Sequence, residues 1–479
     1  MEQEKKEKKI KFNTETLLCI FIILCPILDM ASFIFRNVFN TNFSPSTFIR
    51  PIIPIIVIIY IFLKADKKFK LKTILVGILF LVYGLIHIYC FNGVKTLSSY
   101  SNATHEMQYL VNYSFMVLNL FLYIYVFKDK NTIKLRKSIF IAAMIYIVSI
   151  FLSILTNTSS FTYLEEQMGY KGWFESGNSI CSILLLAMFS FLPLLKDKKY
   201  KIWVGIITIL IGIFLTMLVG TRVGLFGFII VFTLYIVTEI FQELLNTKKI
   251  NKKVTRIGIF AIVAVVGAVT IFGSTTIQRR KHLQDIEQNI VDKDKNEQAH
   301  ITGDLLDIEK KIENGTLEDG YMNEAQKQSV IDLYNKANEM NLKNNDQRMQ
   351  QLIYNIALVK NQKNPLLIIF GNGYVANFRE LVFEMEVPAI LINFGILGFL
   401  LYLGPFIAVL IYSFIKCIKN YKKFDAEFAR LFLGCIFAFA LSFLSGYTFF
   451  NQSSAIMIVV VNTLLVYKAK NIKEENESL

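Results

Sequence analysis

Histidine is scarce in this sequence: His87, His105, His282 and His300 are the only four in 479 residues. They fall at no metal-ligand spacing, so a histidine-built metal centre is not expected. Cysteine is nearly as sparse, and Cys19, Cys25, Cys90, Cys181, Cys417 and Cys435 all lie in or at the ends of apolar blocks. Nothing pairs them across loops as a disulfide framework would, and they read as small buried side chains. No internal repeat or heptad array is visible, which sets aside solenoids and coiled coils. What fills the chain is Ile, Leu and Phe in repeated blocks, with 54% of residues hydrophobic.

That pattern belongs to a membrane protein. Apolar blocks run over Leu17–Phe35, Phe48–Leu63, Thr73–Phe91, Met107–Phe127, Ser138–Leu155, Ser179–Leu195, Ile202–Val219, Val223–Phe241, Ile257–Phe272, Val387–Ile415, Leu431–Tyr447 and Asn451–Tyr467. A crossing needs about 20 apolar residues, so the second and last blocks are marginal and compatible with re-entrant segments. The tenth is the opposite case, about 45 Å long as one helix, so its outer end must tilt or project. The first block is too long for a cleaved signal and lacks a small-residue cleavage pattern, so it is expected to stay as a helix.

The net charge of +14 raises the question of nucleic acid. Lysine and arginine, however, cluster at 5–11, 64–72, 128–137, 196–201, 248–256, 416–430 and 468–473, which is every second loop. Cytoplasmic loops carry such an excess, so the basicity reports topology and contact with anionic lipid, with both termini cytoplasmic and no nucleic acid as partner. The expected fold is all-α: a polytopic membrane protein of about twelve transmembrane helices with one large, mostly helical extracytoplasmic loop. Residues 1–273 hold spans one to nine, 274–385 the loop, and 386–479 spans ten to twelve and a cytoplasmic tail. Within the loop, Met322 to Gln362 has no Pro or Gly and repeats apolar residues at helical spacing, which predicts one or two surface helices. The loop is too small and polar for a deep core of its own and reads as a lid on the membrane domain.

Several residues are placed to do chemistry. Gly220-Thr221-Arg222 alone separates two apolar blocks, so the Arg222 guanidinium is held at the outer boundary, against the charge bias. It is either a snorkelling anchor or a site, and an arginine fork suits phosphate oxygens. Arg348 alone reads as a solvated charge, and the Gly371-Asn372-Gly373-Tyr374 turn that follows is weak evidence for a ligand. Glu384 and Glu386 precede the tenth block, where apolar surroundings raise a carboxyl toward a general base, or where both simply cap a helix. Gly395 and Gly398 suit close helix packing. Trp173, Phe174 and Asn178 open the sixth block as an interface belt or a sugar-stacking platform. Asp29, Arg36 and Arg50 suit structural pairing.

In this order the pieces resemble the bacterial O-antigen ligase and O-antigen polymerase superfamily, membrane glycosyltransferases of the GT-C type. Gly172-Trp173-Phe174 with Asn178 looks like the family's Gly-x-Phe and downstream Asn, and Thr221-Arg222 like its Ser/Thr-Arg pair. Arg348, with Pro365 and the Gly371/Gly373 turn behind it, is similar to the loop arginine ahead of a Pro and a Gly-x-Gly turn. Gly395 and Gly398 look like the Gly-x-x-Gly of the following helix. Many ligases carry a histidine eleven residues before that glycine pair, where this chain has Glu384. The acidic version resembles wall or capsule polysaccharide enzymes of Gram-positive bacteria. The motifs span Tyr163 to Tyr402; outside them only hydropathy matches.

The resemblance implies transfer of a glycan from a polyprenyl (undecaprenyl) pyrophosphate carrier to an acceptor glycan, on the outer face of the bacterial cytoplasmic membrane. No cofactor and no metal is implied. Arg222, Arg348, Glu384 and Glu386 become the catalytic candidates, and Arg222, Arg348, Asn178, Trp173, Gly371 and Gly373 the substrate-binding ones. Polymerase and ligase share these motifs; the acidic variant and a Lys-, Asn- and Ile-rich composition favour polymerase. The alternative from another class is a flippase or transporter for a lipid-linked oligosaccharide, for which inverted repeats, broken helices or mid-membrane charges are the usual signs.

Overall fold

The computed structural model describes residues 13–41, 44–95, 102–127, 130–247, 273–293, 305–342, 346–375, 381–419, 425–444, 446 and 448–471. Among these the chain is helical apart from one two-stranded hairpin. Helices α1 (Thr14–Asn37), α2 (Pro45–Lys64), α3 (Lys67–Asn92), α4 (Ala103–Phe127) and α5 (Ile133–Leu155) follow the first five apolar blocks. After the hairpin, β1 (Ser160–Tyr163) and β2 (Met168–Gly172), come α6 (Gly177–Phe191), α7 (Lys201–Ile213) and α8 (Arg222–Thr247). The expected ninth block, Ile257–Phe272, lies outside the described residues. The insert that follows holds α9 (Thr275–Lys293), α10 (Leu305–Glu313), α11 (Glu324–Glu339), α12 (Gln347–Asn361) and the short α13 (Leu366–Phe370). The chain returns through α14 (Glu386–Asn393), α15 (Gly395–Tyr402), α16 (Gly404–Lys419), α17 (Ala426–Leu444) and α18 (Gln452–Asn471).

Ten of these helices are long and apolar enough to cross a membrane, and eleven crossings result if the bent pair α15–α16 counts as one. The two marginal blocks are full-length candidates, α2 and α18, each 20 residues long. The tenth block departs from expectation: it is not one tilted helix but three segments, with a 54° bend between α15 and α16. The chemistry of the break is local. Gly395 sits at φ 68°, a left-handed conformation that stops α14, and Gly404-Pro405 removes a helical N–H where α16 begins. Outward-facing Ile52, Ile55, Ile59, Leu75, Leu79 and Leu85 stay exposed on α2 and α3, as lipid-facing side chains do.

Buried ion pairs tie the bundle together at depths where an unpaired charge is costly. Arg50 donates to Asp29, whose other oxygen accepts from Tyr146 (2.5 Å) and Ser453 (2.7 Å), joining α1, α2, α5 and α18. Arg36 does not share this pair and instead meets Glu175 at 2.9 Å. At the end of the bundle away from the insert, Arg136 pairs with Glu427, Arg430 and Lys196 with Glu239, and Lys468 with Asp425 and Glu427.

The insert does have an apolar cluster, but it is a shared one. Leu305, Met322, Val330, Leu333, Tyr354 and Leu358 close against Cys90, Phe91 and Val94 at the end of α3. Two helices, α11 and α12, form where the Pro- and Gly-free stretch predicts them, and α11 begins at a capping box between Asn323 and Gln326. Asn323 and Gln326 both donate to the Val94 carbonyl, clasping the insert to α3.

Candidate functional site

The start of α6 is the hub of the site. The β1–β2 hairpin delivers the chain to it, and the Trp173 indole N–H donates to Thr158 Oγ1 at 2.9 Å, so that side chain is committed to holding the hairpin's base. Ser176 caps α6, accepting from the Ser179 N–H, and Asn178 stands half-buried in the first turn without a hydrogen-bond partner among the described residues. One turn on, Cys181 lies 3.2 Å from the Thr221 hydroxyl and Ser182 lies 3.4 Å from that of Thr448. Adjacent positions of α6 therefore touch the turn before α8 and the turn before α18.

Arg222 is the first residue of α8, exposed and without an ion-pair partner among the described residues. Thr221 accepts the Gly224 N–H at 3.1 Å, a side-chain cap that fixes where α8 begins. From the insert, Ser274 and Thr275 donate to the carbonyls of Thr216 and Met217, each at 2.7 Å, docking the start of α9 on the π-helical turn Phe214–Leu218. Arg279 then grips both oxygens of Glu166 in the hairpin turn and stacks 3.4 Å over the Tyr163 ring. Burial pushes the Tyr163 hydroxyl up, while Arg279 and Arg222 pull it the other way. Sequence reasoning missed the hairpin and Arg279. The run Arg279-Arg280-Lys281 directly after the ninth block, on the side where basic residues should be few, was the available signal.

The second half of the site joins the insert to the returning chain. Arg348 Nε, in the first turn of α12, donates to Glu384 Oε2 at 3.1 Å, and its Nη1 donates to the Leu444 carbonyl at the end of α17. Both side chains of this pair are accessible, 44% and 40% exposed, and Glu384 Oε1 has no partner among the described residues. The Glu384 N–H donates to Gln351 Oε1 at 3.0 Å, which fixes the backbone beneath the carboxylate.

Glu386 is placed quite differently. It is 4% exposed, and its two oxygens accept the N–H groups of Thr448 (2.8 Å), Phe449 (2.7 Å) and Phe450 (2.7 Å). Burial pushes its carboxyl up to about 7 against the pull of those three donors. On pKa alone it would be the better base, but geometry comes first, and its oxygens are spent on the turn before α18.

The register of α8 against α17 shows how Arg222 and Arg348 relate. Arg430 Nη1 reaches Glu239 at 2.6 Å and Ala426 N–H reaches Gln242 at 2.6 Å, so the two helices run antiparallel. From Glu239 back to Arg222 is about 25 Å of helix, and from Arg430 on to Leu444 about 21 Å. Arg222 and Leu444 thus finish at the same end of the pair, and Leu444 holds Arg348. Arg222, Arg348, Glu384 and Asn178 converge on one end of the bundle, while Arg222 and Arg348 share no hydrogen-bond partner among the described residues.

Gly371 and Gly373 lie inside the packing rather than on a surface. A Cβ at Gly371, whose φ is 85°, would overlap the Asn393 carbonyl, and that same carbonyl accepts the Gly373 N–H at 2.8 Å. A Cβ at Gly395 would in turn strike the Gly371 backbone. The Gly-x-Gly turn and the break before α15 are interlocked backbones. Both glycines are buried, and their close backbone contacts give them a place in the scaffold. Among the described residues no group of three or more His, Cys, Asp or Glu is placed to hold a metal ion.

No curated protein matches the chain in sequence. A family model does, from residue 11 to residue 472, nearly end to end, and its description is O-antigen ligase like membrane protein. With that match and a helical bundle of ten or eleven candidate spans, the chain belongs to the O-antigen ligase-like membrane proteins.

Proposed function

We propose that the protein is a membrane glycosyltransferase that transfers oligosaccharide from a polyprenyl pyrophosphate carrier to an acceptor glycan, on the outer face of the bacterial cytoplasmic membrane. In this reading the insert is the extracytoplasmic lid, both termini are cytoplasmic, and Arg348 and Glu384 face each other at the joint between lid and membrane. The observation that carries it is the accessible Arg348–Glu384 pair at the bundle end that also presents Arg222, which has no ion-pair partner among the described residues.

The acceptor hydroxyl oxygen attacks the anomeric carbon, and the bond from that carbon to the pyrophosphate oxygen breaks. The hydroxyl proton passes to Glu384 Oε1, and the leaving electron pair stays on the polyprenyl pyrophosphate. Arg222 and Arg348 stabilise the charge that develops there. One guanidinium about 4 Å from a phosphate oxygen has a Coulomb term of about 4 kcal/mol at an effective dielectric near 20, before desolvation. A positioned base adds roughly 10² to 10⁴ in rate. Asn178, on the first turn of α6 and without a hydrogen-bond partner among the described residues, suits a hydrogen bond to the carrier or the sugar. Polymerisation, with a growing glycan as acceptor, is favoured by the acid at position 384.

The test uses purified full-length protein and a polyprenyl pyrophosphoryl oligosaccharide. Longer or transferred chains, with release of polyprenyl pyrophosphate, are the expected result. A donor that stays intact in the presence of acceptor would overturn glycosyl transfer and leave transport as the reading.

A further inference from the structure

His87 on α3 and Glu106 on α4 take no part in the proposed transfer, yet they are 0% and 1% exposed. His87 Nε2 lies 2.6 Å from Glu106 Oε1. On the far side of the ring Nδ1 lies 2.7 Å from the Phe370 carbonyl, and Glu106 Oε2 accepts the Tyr374 N–H at 2.8 Å. A carbonyl only accepts, so Nδ1 must carry a hydrogen. The Nε2–Oε1 contact then needs a hydrogen of its own, whichever atom holds it. The pair is neutral overall in either arrangement, and both side chains are hydrogen-bonded at both ends, the condition under which a buried polar pair is stable.

The partners of this pair show what it does. Phe370 and Tyr374 flank the turn by which the insert rejoins the membrane helices, so the pair supplies one donor and one acceptor to two backbone groups that burial would otherwise orphan. Just beyond His87, the end of α3 enters the apolar cluster of the insert through Cys90, Phe91 and Val94. Tyr374 also stacks on Tyr109 of α4, ring centroids 3.6 Å apart. We propose that His87 and Glu106 are positioning residues, a hydrogen-bonded latch that seats the insert on α3 and α4 and so sets Arg348 against Glu384. The consequence for turnover rests on the proposed glycosyl transfer; the seating itself does not.

A latch made of hydrogen bonds rather than charge predicts that Glu106→Gln is tolerated. The Gln carbonyl accepts the Tyr374 N–H, and its amide donates to Nε2 of a neutral His87 that keeps Nδ1–H on Phe370. Glu106→Leu leaves the Tyr374 N–H unpaired. Cys90, buried in the shared cluster, reports the seating: purified full-length protein is treated with N-ethylmaleimide and alkylation is followed residue by residue by mass spectrometry, with buried Cys435 as reporter for the bundle.

The expected result is Cys90 labelling about tenfold or more faster in Glu106→Leu, unchanged in Glu106→Gln, and Cys435 protected in both. Turnover of the polyprenyl pyrophosphoryl oligosaccharide should fall in kcat for Glu106→Leu and hold for Glu106→Gln. Protection of Cys90 in Glu106→Leu would overturn the latch. So would Glu106→Gln labelling as fast as Glu106→Leu, or Cys435 opening along with Cys90. A wild-type protein without transferase activity would refute the transfer reading while the labelling still read the latch.

Discussion

Replacing Glu384 by Gln separates a structural ion pair from a catalytic base, because the two roles differ widely in size. The Glu384–Arg348 contact is 3.1 Å long, with side chains 40% and 44% exposed. Water screens such a pair, so its worth to stability is about 0–1 kcal/mol. Gln keeps the shape and an oxygen for Arg348 Nε, which brings the expected loss to the low end of that range. As the base that takes the acceptor proton, the same carboxylate accounts for roughly 10² to 10⁴ in rate, equivalent to about 2.7–5.5 kcal/mol of barrier. Glu384→Gln should therefore unfold within a degree or two of the parent and turn over at least a hundredfold slower, with KM for the donor little changed. The assay is product length on gels over time for purified protein, beside a thermal unfolding curve in the same detergent. Turnover within threefold of the parent would refute the assignment of Glu384 as base.

Three further outcomes test neighbouring parts of the site. Arg222→Lys keeps the charge but loses the fork; because Arg222 has no ion-pair partner among the described residues, stability should hold while turnover drops about 10²-fold, and near-normal product would remove Arg222 from the clamp. Glu386→Gln turns an amide NH₂ toward backbone N–H donors, so it should cost about 2–4 kcal/mol, read as a lowered unfolding midpoint; a normal midpoint with lost activity would restore Glu386 as a base. Asp29→Asn leaves the buried Arg50 guanidinium uncompensated and should destabilise by about 3–5 kcal/mol, measured by the same melt; an unchanged melt would mean that the pair is solvated.

The spans were legible because about 20 apolar residues in a row have few fates other than a membrane helix. Their order, the two insert helices and the residues of the Arg348–Glu384 joint followed from the same linear reading. What escaped it was set by contacts distant in sequence. The break of the tenth block depends on Gly395 packing against Gly371, and hydropathy, which sees only Ile, Leu and Phe there, reads one long helix. Glu384 and Glu386 are two residues apart and look alike in sequence. Only the fold shows that one carboxylate is open beside Arg348 and the other is consumed by three backbone N–H groups. His87 and Glu106 escaped too, since residues on consecutive helices have no local spacing to reveal them. An ionisable side chain inside an apolar block was the clue, and it applied to His87 as much as to Asp29.

The placement of charge along the molecule is consistent with the proposed site at the insert end. At the end away from the insert, every buried arginine among the described residues has a carboxylate: Arg136 has Glu427 and Arg430 has Glu239. Those pairs balance charge, and Arg430 with Glu239 fixes the register of α8 against α17. At the insert end the balance is incomplete, since among the described residues Arg222 stands without a carboxylate and Arg348 has only an accessible one. In the proposed reaction, cations left in this condition would attract a doubly charged pyrophosphate without first having to release a buried partner. Removing the Arg222 charge, by Arg222→Gln, should weaken donor binding at least tenfold, since a guanidinium about 4 Å from a phosphate oxygen has a Coulomb term of about 4 kcal/mol at an effective dielectric near 20, before desolvation. Donor KM, measured with the same oligosaccharide, is the readout. If KM stays at the parent value while the protein melts normally, the free charge at Arg222 does not bind the carrier, and the clamp must lie with Arg348 alone.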